Sequence, residues 1–395
     1  MHTKVNIIPS KKLLNLPTYI FAELDEWKEE ERAKGASLID LGIGNPDGAT
    51  PDPIVEAAIQ SLHNSKNHGY PNFRGKEEFR YAVADWMKRK YNVDLDALDE
   101  VQILVGAKEG LAHLALAMTD PGDINIVPDP YYPVHSRGTW ISNGDVYHVK
   151  LEEKNGFMPD LSTIPEDVAQ RAKIFFVSYP NNPTSGIATR EFYKELVDYC
   201  TKYNILLCSD LAYAEICFDG YRPLSIFEIE GAKDIAIEFH SFSKTFNMAG
   251  WRIGWAVGNK EFIKILYALK TNIDYGTSSV VQDAAIAALK MPESHVNEIV
   301  AKYQKRRDFM TEGFNKLGWN LKKPKATMYI WLPVPGNQDS KSWCKMVLEK
   351  TGVVFTPGIA FGKHSDKYFR ASLVAPDDKL KEALQRLESA NIRYN

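Results

Sequence analysis

Cysteine is scarce in this chain, with four in 395 residues: Cys200, Cys208, Cys217 and Cys344. No two are spaced as C-x-x-C, which excludes a zinc ribbon or a thioredoxin-type redox pair, and no metal site is expected. Cys208 and Cys217 sit in or near apolar runs and read as buried thiols, a usage that suits a reducing compartment. A surplus of positive charge is also lacking. The formal net charge is -3, so there is no basic footprint for nucleic acid. No stretch approaches the roughly 18 uncharged apolar residues of a membrane span. The start of the chain, Met1 to Pro9, lacks the apolar core of a signal peptide. The expected location is cytoplasmic, away from the membrane. Repeats, low-complexity tracts and Gly/Ser linkers are absent as well.

What is present is ordinary for a soluble globular protein: 44% hydrophobic and 25% charged residues. At about 100–200 residues per domain, the length suggests two or three domains with room for a large core. Residues 18–34 predict an amphipathic helix, with Thr18 as N-cap and Phe21, Leu24 and Trp27 on one side. From about residue 100, apolar runs alternate with helical stretches. The runs are Val101–Val105, Ile124–Val127, Ile174–Val177, Ile205–Cys208, Ile235–Phe239 and Gly254–Val257. Continuous apolar runs separated by helices predict a largely parallel sheet covered on both faces. Polar residues cluster just after the runs, where open α/β sheets bind ligands. The tail predicts a smaller α+β unit. It has a long helix over residues 290–318, strands at Met328–Leu332, Val353–Phe355 and Tyr368–Leu373, and helices at Trp343–Lys350 and Asp377–Ala390.

Lys244 lies in His240-Ser-Phe-Ser-Lys-Thr-Phe-Asn-Met-Ala-Gly-Trp-Arg252. A lysine after a strand is by itself a solvated edge residue. Its company here changes the reading. Arg252 sits among small residues, in Gly250-Trp-Arg-Ile-Gly254, with room to meet an anion. A lysine nucleophile needs a lowered pKa, which desolvation and a nearby cation supply. An arginine offers a bidentate fork to phosphate. With the hydroxyls of Ser241 and Ser243, this set suits a cofactor carrying both an aldehyde and a phosphate. Asp210 ends the fourth run and either caps the next helix or holds a pyridine nitrogen protonated. Tyr213 could reach the same side. Asn182, in Asn181-Asn-Pro-Thr184, is a turn residue or an amide donor to a phenolic oxygen. Gly106-Ala-Lys108 opens a helix whose free N–H groups could meet phosphate. Tyr132 could stack on a ring. Arg370, in Tyr368-Phe-Arg-Ala-Ser372, must find an anion, either a structural carboxylate or that of a substrate.

Together these runs resemble the class I aminotransferases of the fold type I pyridoxal-phosphate enzymes, nearest the alanine and LL-diaminopimelate aminotransferase group. The resemblance spans roughly residues 17–390, in order. Ser241-Phe-Ser-Lys-Thr-Phe-Asn-Met-Ala-Gly-Trp-Arg-Ile-Gly254 is its most specific part. Asn181-Asn-Pro-Thr184, Ser209-Asp-Leu-Ala-Tyr213 and Gly42-Ile-Gly-Asn-Pro-Asp47 reinforce it. The implied fold is α/β. A large domain over residues 47–300 holds a mostly parallel sheet sandwiched by helices. A smaller α+β domain comes from residues 1–46 and 301–395. The implied cofactor is pyridoxal 5'-phosphate, held by Lys244 as a Schiff base. By resemblance Lys244 also moves the proton in the reaction, Asp210 pairs with the pyridine nitrogen, and Asn182 and Tyr213 bond the phenolic oxygen. Tyr132 contacts the cofactor, while the backbone groups of Ala107 and Lys108, with Ser241, Ser243 and Arg252, hold its phosphate. Tyr70, in Gly69-Tyr-Pro-Asn-Phe-Arg-Gly75, matches a tyrosine that reaches the phosphate of a second subunit, which implies a homodimer with shared sites. Arg370 would bind the substrate α-carboxylate, with Gly44 and Asn182 nearby. Tyr19, Lys108, Tyr132 and Tyr275 would shape the deciding pocket. Two departures stand out: Ala107 where many relatives have serine, and Ser185 where glycine usually follows Asn-Pro-Thr.

The implied activity is ping-pong transfer of an amino group from an L-amino acid to a 2-oxo acid, 2-oxoglutarate or pyruvate. Alanine or LL-diaminopimelate is the expected amino substrate, the latter placing the enzyme in lysine biosynthesis. A carbon–sulfur β-lyase would use nearly the same residues. A ligand-sensing domain of this fold would carry an extra N-terminal winged-helix unit, for which the match near residue 17 leaves no room.

Overall fold

The computed structural model describes residues 7–394. The part of the signal-peptide reading that falls on residues 1–6 lies outside the described residues. Strands are numbered in chain order. The first, β1 (Ile39–Asp40), precedes the main sheet. That sheet contains β2 (Val101–Leu104), β3 (Ile124–Asp129), β4 (Asp145–Lys150), β5 (Ala172–Ser178), β6 (Leu206–Asp210), β7 (Ala236–Ser241) and β8 (Gly254–Gly258), in the order β2-β8-β7-β6-β5-β3-β4. Only β8 runs against its neighbours; β3, β4, β5, β6 and β7 pair in parallel. The expected mostly parallel sheet is therefore present, and both faces are covered. On β5, Phe175 and Val177 pack into one apolar cluster while Ile174 and Phe176 pack into another. Alternate side chains point to opposite faces, so a run with no polar break signals burial on both.

The remaining strands are β9 (Tyr329–Pro333), β10 (Val353–Val354), β11 (Thr356–Pro357) and β12 (Tyr368–Ser372). An antiparallel sheet is ordered β11-β12-β9, and β1 pairs in parallel with β10 through Ile39 and Val353. The helix Ile20–Ala33 packs Leu24 and Trp27 against Leu348 and Val354, which joins the two ends of the chain.

Three expectations need correction. The helix expected over residues 18–34 starts at Ile20 behind Tyr19, so Thr18 is not its cap, and no side chain caps it. The helix expected over residues 290–318 is two: Ser279–Lys290 and Glu293–Lys316. Pro292 disfavours helical backbone at the residue before it, and Met291 is extended, with ψ 150. Cys217 is half-buried, whereas Cys208 is fully buried. Strand β4 was not expected at all.

The sheet sets up a rim. Register pairs Ser178 with Asp210, Asp210 with Phe239, and Ser241 with Gly254. The carboxyl ends of β5, β6 and β7 therefore lie side by side, beneath the loops where ligands meet this kind of sheet.

Candidate active site

A single pocket on this rim is lined by Tyr19, Gly44, Ala107, Lys108, Tyr132 and Asn182. Asp210, Tyr213, Ser241, Ser243, Lys244, Arg252 and Arg370 complete the predicted set within it. Tyr70 and Tyr275 are not in it. They stack on each other elsewhere, with ring centroids 4.5 Å apart, and Tyr70 is 84% exposed.

One end of the pocket is built for an anion. The helix Ala107–Met118 starts immediately after Gly106, whose φ is +81. Glycine enters that region without strain. A side chain at Gly106 would collide with the Arg252 guanidinium, and one at Gly254 would press on the Ala107 amide. These glycines let arginine and helix N-terminus converge, offering N–H donors and positive charge at one point. Arg252 is steadied by donating to the Ala249 carbonyl at 2.8 Å. The hydroxyl of Ser241 accepts from the Ser243 amide at 3.1 Å. Ala107 adds no hydroxyl, so the donors here are backbone groups, two serines and an arginine.

Lys244 stands at the pocket floor, where its Nζ donates to the Gly44 carbonyl at 2.6 Å. No carboxylate pairs with it among the described residues. Enclosure, the Arg370 charge and the Arg252 charge together bring its pKa down to about 8 from 10.5. Loss of water and like charge both disfavour the ammonium. The result is an amine available as nucleophile or base near neutral pH.

Asp210 lies opposite, with its carboxylate 3.1 Å from Nε2 of His135. His135 is buried, stacks on Phe176 and meets Tyr132 edge-on. Sequence reading missed His135; its partner is 75 residues away, and only a histidine beside the Tyr132 run hinted at it. Asn182 Oδ1 accepts from Arg370 at 2.7 Å, and the other arm of Arg370 donates to the Gly42 carbonyl at 2.7 Å. No acidic side chain meets Arg370 among the described residues, and its Nε is buried without a partner. A guanidinium this buried and without an anion is poised for a carboxylate. Tyr213 and Tyr329 share a hydrogen bond between hydroxyls at 2.8 Å. Tyr329 was also missed, because a tyrosine opening a strand carries no signal of what lies across from it.

The Ser185 departure has a structural answer. Ser185 has φ +58, the left-handed region that glycine favours. Its hydroxyl contacts that of Thr327 at 2.6 Å and donates to the Tyr329 carbonyl at 2.9 Å. These local bonds offset the backbone cost and tie the Asn181–Gly186 loop to β9.

At the mouth, Lys108 and Tyr19 are both exposed, with the Lys108 ammonium 5.8 Å and the Arg137 guanidinium 4.9 Å from the Tyr19 ring. Lys108 has no carboxylate partner among the described residues.

The donor set fits pyridoxal phosphate: an activated lysine, a carboxylate opposite it, an anion cradle and amide and phenol donors around one cavity. Comparison with known proteins agrees. The family model for aminotransferase class I and II matches residues 36–387. An LL-diaminopimelate aminotransferase from Desulforudis audaxviator is 49% identical over 383 residues, covering 97% of this chain and 98% of that relative. One from Aquifex aeolicus is 50% identical over 383 residues, covering 97% and 99%. The solved structure of an aminotransferase from Staphylococcus aureus matches with TM-score 0.90 at 34% identity, over 98% of this chain and all of that one. With fold, site chemistry and whole-length similarity in agreement, the chain belongs to the class I and II aminotransferases and is a pyridoxal-phosphate-dependent transaminase.

Proposed function

We propose that this transaminase takes its amino group from LL-diaminopimelate and passes it to a 2-oxo acid, 2-oxoglutarate or pyruvate. Relatives named for that substrate, at about half identity over nearly the full chain, carry the reading. The unpaired Lys108 at the pocket mouth supports it. A substrate with a second α-amino carboxylate presents that group away from the reacting end, where a cation at the pocket mouth can meet it, and alanine has no such group.

Bound pyridoxal phosphate supplies an aldehyde that joins amines and a ring that accepts electrons from the neighbouring carbon. The chain's own residues do the rest. Arg370 grips the reacting carboxylate with two parallel bonds; its contacts to Asn182 and Gly42 occupy only two of its five N–H groups and leave the others for the substrate. Lys244 reaches the substrate α-carbon and carries its proton, which a pKa near 8 allows. Asp210 keeps the ring nitrogen protonated, and His135 holds Asp210 in place. Asn182 and Tyr213 donate to the phenolic oxygen, and Tyr132 flanks the ring. The backbone amides of Ala107 and Lys108, with Ser241, Ser243 and Arg252, would receive the phosphate.

The functional unit is a homodimer. Tyr70 and Tyr275, with Phe73 stacked 5.0 Å from Tyr275, form an exposed aromatic face that a second copy would cover, bringing Tyr70 to its phosphate and Tyr275 to its substrate pocket. Residues 47–300 act as the cofactor-holding domain, and residues 1–46 with 301–395 as the smaller one. A cytoplasmic location suits the four unpaired cysteines.

An amino-donor panel of alanine, aspartate, glutamate, an aromatic amino acid and LL-diaminopimelate, each with pyruvate and 2-oxoglutarate, tests the substrate. LL-diaminopimelate should give the highest kcat/KM. A higher value with alanine contradicts the assignment, as does steady release of pyruvate and ammonia from cystathionine without an oxo acid.

A further inference from the structure

Tyr329 opens β9 and is 2% exposed. One side chain there touches three parts of the site. Its hydroxyl is 2.8 Å from that of Tyr213. Its ring lies under the Arg370 guanidinium, 4.1 Å from the centroid. Its hydroxyl also packs on the Cα of Gly44, so closely that a Cβ there would overlap it; the carbonyl of that same glycine accepts from Lys244. The backbone of Tyr329 is fixed on both sides. Its carbonyl accepts from Ser185 Oγ at 2.9 Å, and its amide donates to Thr327 Oγ1 at 3.2 Å.

A tyrosine hydroxyl has one proton to give and lone pairs to receive. If Tyr213 gives its proton to the phenolic oxygen of the cofactor, its own oxygen is left to accept, and Tyr329 is the hydroxyl in reach. We propose that Tyr329 is a positioning residue acting through Tyr213. Its hydroxyl donates to the Tyr213 oxygen, fixes which way the Tyr213 proton points, and strengthens that donation as hydrogen bonds in series polarise one another. The Arg370 cation over the ring draws electrons from the phenol and makes Tyr329 a better donor. The inference deepens the proposed role of Tyr213 and rests on it. It also explains Ser185: a serine at a left-handed position is kept because its hydroxyl anchors the strand that presents Tyr329.

The test is the pH titration of the visible absorbance of the holoenzyme, which reports the proton shared between the cofactor's Lys244 linkage and its phenolic oxygen. Donation to that oxygen favours the deprotonated form, so losing donation raises the midpoint. Tyr213→Phe should raise it most. Tyr329→Phe, which removes one oxygen and keeps the ring packing, should raise it by about 0.3 to 1 unit, a 2- to 10-fold change in proton affinity. The double variant should match Tyr213→Phe alone, because the two act in one chain. Ser185→Ala should shift the midpoint in the same direction by less. An unmoved midpoint in Tyr329→Phe, or additive shifts in the double variant, overturns the relay while leaving the role of Tyr213 standing. An unmoved midpoint in Tyr213→Phe overturns both.

Discussion

Two lysines in this protein live in opposite surroundings. Lys270 is fully enclosed, and its ammonium donates to Glu109 at 3.1 Å and to Asp274 at 2.7 Å. Both carboxylates also brace loops. Glu109 accepts from the Val105 amide behind the anion cradle, and Asp274 from the Gly276 amide beside Tyr275. His113 adds to the same cluster, 2.6 Å from Glu109. Lys244 has no carboxylate partner among the described residues. It has a carbonyl and two arginine charges, and its pKa falls to about 8. A paired lysine is a structural cation. A lysine denied an anion and set beside cations is reactive. Three acidic or histidine ligands around Lys270 have metal-like spacing, but the ammonium already supplies the positive charge that a cation would bring.

The sharpest way to break the contrast is to remove each lysine. Lys244→Ala should lower turnover by on the order of 10⁴-fold or more, with the fold intact by circular dichroism, since no ion pair is lost. Arg370→Lys should lower kcat/KM by about 10- to 100-fold, the cost of exchanging a bidentate fork for a single charge; an unchanged value would make Arg370 structural. Lys270→Met should do the reverse of Lys244→Ala. Stability should fall by about 2–4 kcal/mol in denaturant unfolding, because two half-buried carboxylates lose the ammonium they share, while kcat in the folded protein stays within roughly threefold. A large kcat loss at unchanged stability would erase the distinction.

Much of this was legible in the sequence because burial writes itself into composition. The runs that became β5 and β6 are apolar throughout, and those of β3 and β7 are apolar apart from the buried Asn125 and Glu238, as suits strands covered on both faces; their ends delivered Asp210 and Lys244. Strand β4 was not legible: Asp145-Val-Tyr-His-Val-Lys150 mixes polar and apolar residues, and its ends are exposed at the sheet edge. The break at Pro292 was hidden by helical patterns on both sides of it. His135 and Tyr329 were missed for a different reason. Each owes its role to a partner far along the chain, Asp210 or Gly44 and Tyr213, and no local period encodes that meeting. Ser185 was visible as an oddity, but its bonds to Thr327 and Tyr329 join residues more than 140 positions apart, which no local pattern encodes.

The most direct measurement is reductive trapping on the apoprotein. Protein stripped of cofactor is mixed with pyridoxal phosphate across a pH series, reduced with borohydride and mapped by peptide. Only the neutral amine attacks, so capture should rise with pH and level off above the pKa of the residue that reacts. The label should sit on Lys244 alone, with half-maximal capture rate near pH 8. A label on Lys270 or another lysine, or a midpoint near the ordinary 10.5, would contradict the assignment of Lys244 as the activated amine.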